Sequence, residues 1–121
     1  MTDQPVMIVD DDEDVRDMLA LVLEGYGYPT LKASDGVDAL DKLHGGATPR
    51  LIFLDLRMPR MNGIEFLEAL HADGHRATIP VVVMTGDPVG MREASRSAPT
   101  RCLRKPLDIQ QILDSIHQLA P

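Results

Sequence analysis

Tryptophan is absent, and the 121 residues hold only two phenylalanines and two tyrosines. A core built from this chain is therefore aliphatic, made of Val, Leu, Ile, Met and Ala. The single cysteine, Cys102, excludes an internal disulfide and fits a reducing compartment. No apolar run approaches the roughly 18 residues of a membrane span, and the amino terminus lacks the basic and apolar regions of a secretory signal. Cations are scarce as well: 12 Lys and Arg stand against 19 Asp and Glu, a net charge of −7, with a pI near 4.9. Attachment to nucleic acid or to an anionic membrane needs basic surface, so this balance argues against both. The expectation is a soluble cytoplasmic protein with no direct nucleic-acid or membrane partner.

At 44% hydrophobic residues, the chain has enough apolar material for one ordinary domain, expected to span 1–121. No internal repeat, low-complexity tract or terminal linker is evident. The last helical pattern runs almost to the carboxyl end, so no output domain is expected to follow.

The most informative stretch is Leu51 to Gly63, LIFLDLRMPRMNG. Four apolar residues run directly into Asp55. A run that short and uniformly apolar reads as a strand buried on both faces, the signature of a parallel sheet. Met58-Pro59 and Asn62-Gly63 are loop-forming pairs. Asp55 is thus placed where a central strand surfaces, the edge at which open α/β sheets bind ligands.

The other segments repeat this plan. Pro5 to Val9 reads as the first strand and ends in an acidic run, Asp10 to Asp14. Val15, Met18, Leu19, Val22 and Leu23 follow at helical spacing, and Gly25 to Tyr28 stops that helix. Thr30 to Ala33 is a weak second strand. Ser34 is expected to cap a helix that buries Val37, Leu40 and Leu43 and ends at Gly45-Gly46. A third helix, Gly63 to Ala72, turns Ile64, Phe66, Leu67 and Leu70 inward. Pro80 to Thr85 is the fourth strand. Gly86, Pro88 and Gly90 predict a loop, then a short helix over Met91 to Ser97, ended by Pro99. Thr100 to Arg104 is the last strand, Lys105-Pro106 a turn, and Asp108 a cap. Ile109, Ile112, Leu113, Ile116 and Leu119 share one face of the closing helix. Five strands alternating with five helices predict a parallel sheet covered on both faces.

Parallel strands carry all their carboxyl ends to one rim. Asp10 and Asp11, Asp55, Thr85 and Lys105 stand at or just past those ends. Three carboxylates and one ammonium sum to −2, which a divalent cation balances. With no His or Cys at the strand ends, an all-oxygen site suits Mg²⁺ better than zinc. Asp12, Glu13 and Asp14 are read differently, as acids favoured in the first turn of a helix.

The set IVDD (Ile8 to Asp11), LDLRMPRMNG (Leu54 to Gly63), VVVMTG (Val81 to Gly86) and RKPL (Arg104 to Leu107) resembles the receiver domain of two-component response regulators over essentially the whole chain. The resemblance implies a doubly wound, flavodoxin-like sheet of order 2-1-3-4-5. It implies that Asp55 accepts a phosphoryl group from a phosphohistidine on a sensor histidine kinase or a histidine phosphotransfer protein. Asp10, Asp11, Asp55 and the backbone carbonyl of Arg57 would hold Mg²⁺, Thr85 and Lys105 would meet phosphoryl oxygens, and the Lys105-Pro106 peptide would be cis. Catalysis would be limited to self-catalysed phosphotransfer and autodephosphorylation. The phosphorylated protein would signal to a downstream protein through the surface of the fourth helix, fifth strand and fifth helix. Alternatives are a relay intermediate or phosphate sink, a fragment of a longer regulator, and a binding module that is never phosphorylated. An Mg²⁺ phosphatase would want an acid where Arg57 stands.

Three departures stand out. Cys102 occupies the position of the family's aromatic switch residue and is read as a small buried hydrophobe. The segment from Thr85 to Lys105 is short and carries Pro88, Gly90 and Pro99, so its helix should be short or mobile. Arg57 and Asp87 flank the acceptor and Thr85, and are expected to approach one another over the pocket, hindering the hydrolytic water. His44, His71, His75 and His117 are expected at the surface, away from the site.

Overall fold

Uniformly apolar strands settle the architecture. In the computed structural model, which describes residues 4–56, 61–74, 76–96 and 101–121, β1 (Val6–Val9), β2 (Thr30–Ala33), β3 (Leu51–Asp55), β4 (Val81–Thr85) and β5 (Arg101–Arg104) form one parallel sheet of order β2-β1-β3-β4-β5. Each of β1, β3 and β4 is buried along its full length, as a strand covered on both faces must be. The sheet is flavodoxin-like, and α1 (Glu13–Gly25), α2 (Gly36–His44), α3 (Gly63–Ala72), α4 (Pro88–Arg96) and α5 (Ile109–Leu119) alternate with the strands.

The period of two along each strand sorts the core into two layers. Met7, Val9, Ile52, Leu54, Val81 and Val83 point to the side of α2 and α3, where they meet Ala39, Leu43, Phe66, Leu67 and Leu70. Val6, Ile8, Leu51, Phe53, Val82 and Met84 point to the other side, against Leu19, Ala20, Leu23, Ile112 and Ile116 of α1 and α5. Each fully buried aliphatic side chain contributes roughly 1.5–3 kcal/mol. Truncating one in the centre, such as Leu54→Ala, costs about 2–5 kcal/mol.

Several local expectations are corrected. Asp35, not Ser34, caps α2, its carboxylate accepting the Asp38 N–H at 2.8 Å. Ser34 instead donates its backbone N–H to Asp38 Oδ2 at 2.9 Å. In α2, Leu43 is fully buried while Val37 and Leu40 are only half-buried. Met18 is 57% exposed. The inward stripe of α1 is Leu19, Ala20 and Leu23, with Arg16 a turn earlier donating Nη1 to the Asp10 carbonyl at 2.7 Å. Ile109 is 47% exposed in the first turn of α5, where Ser115 fills the inward position between Ile112 and Ile116.

The fourth helix starts at Pro88, not at Met91, and runs nine residues. Proline is favoured at the first helical position, where its missing N–H costs nothing. Asp87 Oδ1 accepts the Val89 N–H at 3.0 Å, and the Asp87 carbonyl accepts that of Met91 at 2.9 Å. Pro88 and Gly90 therefore belong to the helix. Ser97, Pro99 and Thr100 lie outside the described residues. No helix among the described residues is long and apolar enough to cross a membrane.

Candidate functional site

The register delivers each strand's last residue to the same rim. Val9 pairs with Leu54, Asp55 with Met84, and Thr85 with Arg104. Asp10 follows β1, is 1% exposed, and accepts the Asp12 N–H on Oδ1 at 2.9 Å. That bond and the Arg16 guanidinium on its carbonyl fix the turn into α1. Asp12, one residue further, caps α1 by accepting the N–H groups of Asp14 and Val15. Asp11 between them is exposed.

Asp55 closes β3 and Thr85 closes β4; both are buried. Lys105 comes next after β5, its backbone N–H donated to the Thr85 carbonyl at 2.9 Å, and the Lys105–Pro106 peptide is cis. Its ammonium stands 3.3 Å from Asp55 Oδ1 and 3.5 Å from Asp10 Oδ2. These distances are long for hydrogen bonds. Lys105 is better described as a single positive charge shared by two buried carboxylates.

Carboxylate oxygens of Asp10, Asp11 and Asp55 all lie within 4.8 Å of one another. Two unit charges at that distance repel by roughly 3–4 kcal/mol at an effective dielectric near 20. The acidic sum exceeds what Lys105 supplies. Burial, then the neighbouring Asp10, push the Asp55 carboxyl up to about 6 against the pull of Lys105, with Asp11 adding to the rise. Burial works to lower the Lys105 ammonium, but Asp55 and Asp10 outweigh it and hold the group above its ordinary value. The residues present fit a hard divalent cation. Every donor is oxygen, the cluster carries −2 with its lysine, and exposed Asp11 leaves one side open to water ligands.

A cleft of about 430 Å³ opens over this cluster, lined by Asp11, Asp55, Thr85, Gly86, Asp87 and Lys105. The five residues singled out at the strand ends thus converge. Asp87 is half-buried in the cleft wall, its backbone N–H donated to Thr85 Oγ1 at 3.1 Å. Arg57, read both as a carbonyl ligand and as one half of a gate with Asp87, lies outside the described residues. So does His75; His44, His71 and His117 are exposed. Cys102 is half-buried, opposite Val83, and packs on the core layer of α2 and α3.

Sequence reading missed the role of Gly63. A Cβ there would lie 2.8 Å from Leu56 Cα and 2.9 Å from the Asp55 carbonyl. Its N–H donates to the Leu56 carbonyl at 2.9 Å. The start of α3 is therefore pressed against the backbone that carries Asp55. A signal for this junction existed: Asn62 and Glu65 form a capping box at that helix start.

A family model described as the response regulator receiver domain matches residues 6–117. The chain is 34% identical over 112 residues to the Regulator of RpoS of Escherichia coli K12, covering 92% of this chain and 33% of that protein. It therefore spans about a third of that relative's length. Sporulation initiation phosphotransferase F of Bacillus subtilis is 29% identical over 121 residues, covering 100% of this chain and 97% of that protein. Among solved structures, the chemotaxis response regulator CheY4 of Vibrio cholerae superposes with a TM-score of 0.87 at 29% identity, over 98% of this chain and 99% of that one. A response regulator receiver protein from Pseudomonas putida gives a TM-score of 0.87 at 25% identity, over 98% and 99%.

Proposed function

The chain belongs to the response regulator receiver domain family of two-component signalling, and on that premise we propose that Asp55 is its phosphoryl acceptor. The observation that carries this reading is the Lys105 ammonium shared between buried Asp55 and Asp10, with Asp11 completing a carboxylate trio within 4.8 Å. Such charge density at the end of a buried strand is unfavourable unless a cation and an anionic group use it.

Receiver domains bind Mg²⁺ at an acidic pocket, and in this chain Asp10, Asp11, Asp55 and the Arg57 carbonyl are the proposed ligands. When bound, the ion supplies positive charge against the phosphoryl oxygens. An Asp55 oxygen attacks the phosphorus of a phosphohistidine. The new O–P bond forms as the N–P bond breaks, and the imidazole leaves. Lys105, released from its two carboxylates, pairs with a phosphoryl oxygen, and the Thr85 hydroxyl donates to another. Positioning and charge compensation are nearly all that phosphoryl transfer requires of a protein. Water later attacks the aspartyl phosphate, and Arg57 with Asp87 slows that step by narrowing its approach.

The donor is a sensor histidine kinase or a histidine phosphotransfer protein, the setting is the cytoplasm, and no metabolite is turned over. The readout is a downstream protein that meets the surface of α4, β5 and α5. A second role, as relay intermediate or phosphate sink, is supported by the full-length likeness to a protein named a phosphotransferase. Incubation with acetyl phosphate and Mg²⁺ tests the acceptor reading. One phosphoryl mass should appear on the intact chain and be absent in Asp55→Asn; an unmodified wild type would overturn it.

A further inference from the structure

Thr85 is not aimed solely at the cleft. Its Oγ1 accepts the Asp87 N–H at 3.1 Å, and Asp87 is the residue whose carboxylate and carbonyl take the first N–H groups of α4. Within the first turn of that helix, Gly90 faces the same hydroxyl. A Cβ at Gly90 would sit 3.2 Å from Thr85 Oγ1 and 3.2 Å from Leu56 Cδ1. Leu56 directly follows Asp55. A single position on the first turn of α4 thus touches one residue at the end of β4 and one at the end of β3.

The geometry points to Gly90 as a positioning residue for Thr85: its missing side chain makes the space in which the hydroxyl is held on Asp87, turned toward α4. This inference rests on the reading of Asp55 as phosphoryl acceptor. When the hydroxyl turns to a phosphoryl oxygen, it leaves both the Asp87 N–H and the surface of Gly90. The entry to α4 loses a bond and a packing contact together. The helix start is thereby a direct sensor of where Thr85 points, and no side chain of β5 need carry the message. A methyl group at position 90 crowds the held arrangement at 3.2 Å, tighter than ordinary van der Waals contact. Its contact with Leu56 Cδ1, the far end of a flexible side chain, is common to both arrangements, so only the crowding of Thr85 Oγ1 distinguishes them, and the population shifts toward the phosphoryl-facing one.

The test uses beryllofluoride with Mg²⁺ as the phosphoryl mimic, titrated calorimetrically. Gly90→Ala should bind it more tightly than wild type, by about tenfold if the held arrangement dominates before binding. In a Thr85→Ala background the gain should disappear, since the crowded hydroxyl is gone and only the contact with Leu56, common to both arrangements, remains; a merely structural effect of Gly90→Ala would persist there. Unchanged or weaker binding by folded Gly90→Ala, or an equal gain with and without the Thr85 hydroxyl, overturns the inference. A second measurement needs no variant. On adding the mimic to wild type, the Asp87 amide proton should move upfield as its bond to Thr85 is lost; an unmoved resonance in the bound protein overturns the inference. If wild type binds no beryllofluoride at all, it is the acceptor reading that fails; binding without a response from Gly90 or Asp87 removes only the present inference.

Discussion

Lys105 Nζ lies 3.3 Å from Asp55 Oδ1 and 3.5 Å from Asp10 Oδ2, although 50 and 95 residues separate the partners in sequence. One ammonium therefore restrains two buried carboxylates. Lys105→Met keeps the aliphatic stem and deletes the charge. In chelator at pH 7, urea denaturation should show a loss of about 1–3 kcal/mol, the usual consequence of leaving a buried polar partner unmatched. Unchanged stability would mean the acids are compensated by something other than Lys105.

The same charge balance predicts a response to metal. At an Mg²⁺ concentration ten times the dissociation constant, binding to the folded state adds about 1.4 kcal/mol. For a chain of this size that is a rise of roughly 5 °C in melting temperature. Asp11→Ala should abolish the rise while leaving the metal-free melting temperature equal or higher, because it removes one repelling carboxylate. A retained Mg²⁺ response in Asp11→Ala would remove Asp11 from the site.

Asp55 gives a pH dependence whose sign follows from linkage. Its folded-state value of about 6 lies above the ordinary 3.8, so between these values the folded state holds a proton that the unfolded state has lost. Metal-free stability contributed by this group therefore falls as pH rises from about 4 to about 6, by about 3 kcal/mol, and stays lost above that. Asp55→Asn should cancel this slope and be the more stable protein at pH 7. Parallel stability profiles for wild type and Asp55→Asn would contradict the shift.

Gly63 tests whether the start of α3 supports Asp55, the proposed acceptor. Gly63→Ala places a carbon 2.8 Å from Leu56 Cα and 2.9 Å from the Asp55 carbonyl, and backbone atoms yield poorly. Denaturation should report a loss of about 1–3 kcal/mol, with weaker Mg²⁺ stabilisation as Asp55 shifts. Wild-type values for both would show that the junction is loose.

Much of this was legible because the strands are apolar throughout. Ile52, Phe53 and Leu54 leave no alternative to burial on both faces, and parallel order then carries Asp10, Asp55, Thr85 and Lys105 to one rim. What escaped depended on competition between neighbours. Ser34 and Asp35 are both good caps, and the Asp38 N–H, three residues past Asp35, bonds its carboxylate. Pro88 and Gly90 look like loop residues, yet a first helical turn tolerates both. Met18 follows helical spacing, but small Ala20 lets α1 rest on the stripe beside it. The contacts of Gly63 and Gly90 were invisible, because a glycine announces room without saying what fills it.

The central claim is that topology gathers these side chains into one cation-dependent phosphoryl site. Borohydride reduction after treatment with acetyl phosphate, followed by peptide mass analysis, tests it most directly by converting an aspartyl phosphate to homoserine. The account predicts homoserine at position 55 alone, in Mg²⁺ and not in chelator. Homoserine at another aspartate, or equal labelling of Asp55 without the metal, would contradict it.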